Sequence, residues 1–333
     1  MVRSIRFWAS LLISVVLVAL FLRATHPREL ADAFEEANYW WLIPGTGVLF
    51  VAIMARCIRW SVLMRPVAPM SAMRLFPYAI IGYMANNLLP ARAGELVRAY
   101  VLGDREGVSK MGTFGTIAVE RLFDGVTLVL MLLIAGSIVG FNDSRLQVIA
   151  AVSTGLFVVA LAAFYLLTLN EDRARRVIHF FLRALPERFE HQAETMADAL
   201  VGSLRSVHDW RSLVLVSLFS GIAWTVEAGA YAVIGQGFNM DVGFGHYALL
   251  LAAANLAIII PTFFGGTGPF EWASKLVLVG GGVADNVAGA YSIVAHGVIL
   301  IPTTVLGLIL LWFYGVSFRR ITHVQVEEQG VTP

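Results

Sequence analysis

The sequence predicts an all-α polytopic membrane protein: about six transmembrane helices plus two re-entrant helical hairpins, in inverted-topology repeats, with both termini cytoplasmic. Three observations carry that reading. Of 333 residues, 58% are hydrophobic and 14% charged, against about a quarter charged in a soluble domain, and mean hydropathy is +0.75. Lysines and arginines fall mostly to one side of the apolar runs. Two further apolar segments of matching pattern are interrupted by proline and glycine at corresponding places.

The uncharged runs 7–22, 38–55, 125–142, 146–169, 212–240 (past Glu227) and 286–318 are the predicted spans. At ~1.5 Å per residue, 18 residues reach ~27 Å, close to a hydrocarbon core. The first run follows Arg3 and Arg6 but shows no small-x-small cleavage site, so it reads as a retained helix. With a cytoplasmic N-terminus, nineteen of the 24 Lys and Arg fall inside and four outside, with Arg121 within a span. That bias sets the orientation. It holds only if 75–89 with 95–103, hinged at Pro90–Gly94, and 246–260 with 271–283, hinged at the Pro261 turn, enter and leave on one side each. Each leg is too short to cross ~30 Å.

One membrane domain therefore covers 1–318, with repeats at about 38–141 and 212–315, a cytoplasmic connector at 170–211 and a tail at 319–333. Met196, Leu200, Leu204 and Val207 give the connector helical amphipathic spacing, for a membrane-surface helix or a solvated linker. The expected location is a bacterial cytoplasmic (inner) membrane. Net charge is +1, which suggests no nucleic-acid partner. The single cysteine, Cys57, excludes a disulfide framework and reads as an inert buried thiol. No HExxH, GxSxG or cysteine–histidine set is present, so the reading is not an enzyme and needs no metal or cofactor.

The repeats show when "YAIIGYMANNLLPARAGE" (78–95) is set beside "YALLLAAANLAIIIPTFFGGTGPFE" (247–271). Both begin Tyr-Ala, reach Ala-Asn, then Pro, then a glycine turn ending in Glu. Such interrupted segments in inverted halves point to a transporter's binding site. Pro90, Gly94, Pro261, Gly265, Gly266 and Gly268 are the expected hinges. Gly136 and Gly140 form a small-xxx-small pair expected to mark close packing.

Six charges crowd the first half: Arg92, Glu95, Arg98, Glu120, Arg121 and Asp124. At ~2.5–3.5 kcal/mol each in lipid, they must face one another or a cavity. Two roles stay open. Glu120 and Asp124 neutralise the hairpin arginines and brace the tip, or Arg92 and Arg98 receive an anionic group such as a lipid phosphate, with Glu95 setting their geometry. In the second half, Glu271 and Lys275 stand four apart, an orientation that favours a pair; a cationic headgroup or a coupling proton is the alternative for Glu271. Glu227 lies mid-span, open to pairing with Lys275 or a backbone donor. His296 occupies the repeat position of Glu120 and reads as a satisfied interior residue.

"NNLLPARAGELVRAYVL", "TIAVERLFDG" and "IPTFFGGTGPFEW" together resemble the membrane domain of the lysylphosphatidylglycerol synthase/flippase family, over roughly residues 5–318. The family elements fall on Pro90, Arg92, Gly94 and Glu95; on Glu120, Arg121 and Asp124; and on Pro261, Gly266, Gly268 and Glu271. A threonine and two phenylalanines lengthen the last turn. Full synthases carry an aminoacyl-transferase domain after the membrane part, and this chain ends about 15 residues past its last span. The resemblance thus implies the translocating half: a flippase-like protein whose substrate is a charged-headgroup phospholipid, glycolipid or polyprenyl-linked lipid. An intramembrane transferase, or a non-transporting scaffold for a lipid- or glycan-modifying partner enzyme, are the alternatives.

Overall fold

Inside hydrocarbon every backbone N–H and C=O must be satisfied within the segment, so apolar runs of this length fold as helices. The computed structural model describes residues 27–89, 93–140, 144–169, 209–258 and 266–314, and among them it contains helices and turns but no strand. The run 7–22, Pro90, Arg92, Pro261, Gly265, connector residues 170–208 and the tail 319–333 lie outside the described residues.

The helices are α1 (Pro27–Glu35), α2 (Leu42–Leu63), α3 (Ala72–Leu88), α4 (Gly94–Glu106), α5 (Lys110–Val139), α6 (Ser144–Leu169), α7 (Trp210–Gln236), α8 (Phe244–Ala257), α9 (Pro269–Gly280) and α10 (Asp285–Phe313). Four of them, α2 with its leading 3-10 turn, α5, α7 and α10, are long and apolar enough to cross a membrane. Their outward faces carry Leu130, Ile134, Ile138, Val305, Leu308 and Ile309, all exposed. An apolar surface of that extent fits lipid, not water. Trp40, 78% exposed, lies in the 3-10 turn that leads into α2, and Trp312, 77% exposed, lies at the end of α10, where amphipathic rings sit at a membrane interface.

Start signals in the sequence are used. Ser71 caps α3 by accepting from Arg74 N, and Ser109 caps α5 by accepting from Gly112 N. Gly140, φ +90°, ends α5 instead of extending its packing face. The Gly136/Gly140 pair is therefore a helix end, because the second glycine adopts a conformation that no helix continues.

Helices α2 and α7 form the centre, antiparallel, with Asn38 N donating to Gly237 O at 2.8 Å. Around them the halves exchange partners: α3 packs on α10, and α8 packs on α5. Within each half, α3 lies against α4 and α8 against α9. Arg74 bonds Glu106 at the open end of α3/α4, beside the Lys110 end of α5, where Gly103 meets the Lys110 side chain. His246 meets Gly281 at the open end of α8/α9, beside the Val139 end of α5, which Gly245 approaches. The two helix pairs thus open toward opposite ends of α5. With 13, 14 and 12 residues, α4, α8 and α9 each reach only ~18–21 Å.

Two boundaries differ from expectation. The span expected to stop at 55 runs to Leu63, so Arg56 and Arg59, counted above as loop cations, are buried inside α2. The span expected from 125 begins at Lys110, which puts Glu120, Arg121 and Asp124 inside one continuous helix. The reason is the same for both: carboxylates and guanidiniums on different helices neutralise one another, so the helices remain inside the bundle despite their charges. Of the nineteen cations expected inside, Arg56, Arg59 and Arg98 are buried, and of the four expected outside so is Lys275, which leaves that expectation at sixteen against three.

Candidate functional site

The site is assembled where the closed ends of the two helix pairs approach the central spans. Helix α4 can start there because of one residue and one close approach. Asn86 of α3 accepts from Gly94 N (2.7 Å) through Oδ1 and donates through Nδ2 to Glu95 Oε1 (3.2 Å), capping α4 from across the pair. A Cβ at Gly94 would lie 2.1 Å from Gly82 O, so only glycine admits this contact. In the second pair the cap is internal: Glu271 Oε2 accepts from Gly268 N at 2.6 Å. Gly268 has φ +103°, a left-handed conformation suited to glycine.

Between the pairs lies a cavity of about 130 Å³, lined by Arg56, Arg121, Glu227 and His296, by Asn86, Asn87 and Asn255, and by Tyr83 and Tyr231, with Phe270 and Trp224 among its apolar walls. Asn87 Nδ2 lies within hydrogen-bonding reach of Thr304 Oγ1 (2.9 Å), Thr303 Oγ1 (3.2 Å) and Leu300 O (3.3 Å), tying the first pair to the middle of α10. Behind the cavity the charges are interlocked. Arg98 holds Glu120 with both terminal nitrogens, at 3.1 and 3.2 Å, and lies over the Trp60 ring at 3.4 Å. Arg121 reaches Glu120 (2.5 Å) and Asp124 (3.2 Å). Asp124 Oδ1 accepts from Arg59 (2.6 Å) and from Trp224 Nε1 (2.9 Å), and Arg59 also donates to Ser220 Oγ at 2.8 Å. Arg56 pairs with Glu227 at 2.5 Å across the central α2/α7 contact and lies over Trp224.

The family described as lysylphosphatidylglycerol synthase TM region matches residues 7–307. The chain belongs to that family. Relatives include a UPF0104 membrane protein of Methanothermobacter thermautotrophicus, 24% identical over 322 residues, 92% of this chain and 95% of that protein. Another from the same organism is 25% identical over 309 residues, 89% of this chain and 90% of that one. The glycosyltransferase AglD of Haloferax volcanii is 26% identical over 302 residues, 81% of this chain but only 48% of AglD. No solved structure matches the chain.

In this family member the expected site residues divide. Arg121 lines the central cavity, whereas Glu95 and Arg98 line a smaller recess behind it, which Arg121 also reaches. Glu120, fully buried, accepts from arginines on both sides, and Asp124 lies beside it. The expected Glu271–Lys275 pair is replaced. Glu271 Oε1 meets His296 Nδ1 at 2.6 Å, and Lys275 Nζ meets Asp285 at 2.7 Å. The physical reason is that Glu271 turns back to cap its own helix and so faces α10, leaving Lys275 one turn on, beside the start of α10. Glu227, open to Lys275 from sequence, takes Arg56 instead.

Sequence reasoning missed Arg56, Arg59, Tyr83, Asn87 and the capping role of Asn86. The signals were present. Arg56 and Arg59 are three apart and so share a helix face at the end of an apolar run, and Asn86 and Asn255 each stand eight residues after a tyrosine, Tyr78 and Tyr247.

Proposed function

We propose that this protein translocates a lipid bearing a charged headgroup, phospholipid, glycolipid or polyprenyl-linked, by receiving the headgroup in the central cavity while the tails stay in the bilayer. The observation that carries the reading is the cavity itself: about 130 Å³ at the meeting of two short helix pairs, edged by arginines and by asparagines from both repeats. Intramembrane charge is costly and is retained where it contacts a substrate or a partner charge. Interrupted helices are tolerated at membrane depth where they line protein or a wet cavity. On this reading α3/α4 and α8/α9 are re-entrant hairpins of inverted repeats in a cytoplasmic membrane, both termini are inside, and no bond is broken.

Arg121, with Arg92 of the first turn, is the proposed anion contact; Arg98, Glu120 and Asp124 hold Arg121 in place, and Glu95 fixes the tip. Glu271 acts from the second repeat, and Lys275 anchors the far end of its helix. A second reading, a non-transporting scaffold for a lipid- or glycan-modifying enzyme, draws on the similarity to the glycosyltransferase AglD. The test is leaflet exchange of head-labelled lipids in proteoliposomes. The purified chain is expected to exchange an anionic lipid well above protein-free vesicles, and Arg121→Ala to lose tenfold or more. Should no headgroup class move, the transporter reading is lost and the partner reading takes its place.

A further inference from the structure

The two repeats treat their buried acid differently. In the first, Glu120 of α5 is held by guanidiniums, which never lose their charge. In the second, the corresponding position on α10 is His296, and its partner is Glu271 of α9 at 2.6 Å. We propose that His296 and Glu271 form a proton-binding site sharing the central cavity with an anionic headgroup, so that one proton and one anion bind together; this rests on the lipid-carrier reading above.

The chemistry follows from the contacts. Ionised Glu271 only accepts, so the short contact puts a proton on His296 Nδ1 and leaves Nε2 as the atom that takes the second one. Phe270 stacks on the imidazole at 4.3 Å, holding the ring in this orientation. His296 is 3% exposed and lines the cavity. The groups facing it have fixed charge near neutrality or are already matched. Helix α7 brings Glu227 and Tyr231, α2 brings Arg56 as the partner of Glu227, α3 brings Tyr83, and α5 brings Arg121, itself paired to Glu120 and Asp124. Lys275 of α9 is joined to Asp285 at the start of α10, and the α1 contact, Asn286 to Glu29 O, lies at that same end. Among the described cavity-lining side chains, His296 is the one imidazole, the side chain type suited to exchanging a proton near neutral pH.

An anionic headgroup entering so small a space adds a negative charge to a set already balanced. Protonation of Nε2 supplies the compensating charge and a new donor. By linkage, a ligand that raises the proton affinity of His296 is itself bound more tightly once His296 is protonated.

The experiment is calorimetric titration of the purified full-length chain with dihexanoyl phosphatidylglycerol, between pH 6 and 8, in buffers of different ionisation enthalpy. We expect uptake of up to one proton per ligand, with affinity rising by up to about tenfold per pH unit as the pH is lowered from 8 to 6. His296→Gln should bind without uptake and without the pH slope, and His296→Arg should bind with pH-independent affinity. Proton uptake that survives in His296→Gln, a wild-type pH slope in His296→Arg, or wild-type binding without uptake, would each overturn the inference, as would a wild-type chain that does not bind the probe. Proton-linked binding in a chain that exchanges no lipid in proteoliposomes supports the proton site and removes the carrier reading alone.

Discussion

At the scale of single residues, the bundle's interior is governed by the need to match charge. Arg56 and Glu227 show this in its simplest form, because their salt bridge joins one guanidinium to one carboxylate. Both are nearly inaccessible, at 7% and 5% exposure, so removing one partner leaves the other without its counter-charge. Glu227→Gln is expected to cost about 3–5 kcal/mol, whereas the double change Arg56→Met with Glu227→Leu should recover most of that. Thermal unfolding in detergent measures both. Equal melting points for wild type and Glu227→Gln would remove the pair from the account of stability. Lipid exchange by the double variant then asks a separate question, since it restores the fold while deleting two cavity charges.

At the scale of elements, the short helix pairs are held by different means. The first depends on a close backbone approach: Gly94 lies against Gly82 O and is capped by Asn86. A methyl at Gly94 has no space, so Gly94→Ala should push α4 away from α3 and cost about 1–3 kcal/mol through overpacking. Amide exchange should then rise in α4 before it rises in the long spans. Unchanged exchange in α4 would mean that the close approach is not what holds the pair. The second pair depends on Glu271, which caps α9 and fastens it to His296 of α10. The second pair is thereby fastened to α10 through a carboxylate–imidazole contact, where the first is closed by a backbone approach and an asparagine cap.

At the scale of the molecule, the halves are interlocked, with α3 of the first on α10 of the second and α8 of the second on α5 of the first. If the helix pairs are re-entrant and inverted, their open ends face opposite sides of the membrane. In a Cys57→Ser background, an impermeant maleimide is expected to label Ala284→Cys in intact cells and Asp104→Cys only after permeabilisation. Labelling of both from one side would rule out the inverted arrangement. Much of this was legible in the chain. Helical class and family membership followed from apolar run length and from the Pro–Gly–Glu and Glu-Arg-x-x-Asp elements, because hydrocarbon permits few backbone solutions and the motif residues stand close in sequence. Legibility stopped at partners. Arg56 looked like a loop cation because an apolar run ends there, and Glu271 looked like a partner for Lys275 because the two are four apart. Sequence by itself determined which segments are apolar, where they break and which charges must be buried. Only the tertiary structure decided which charges meet, because Arg56 and Glu227, or Arg59 and Asp124, lie on different helices. Pairing at that separation is chosen by packing between helices, which no local pattern encodes.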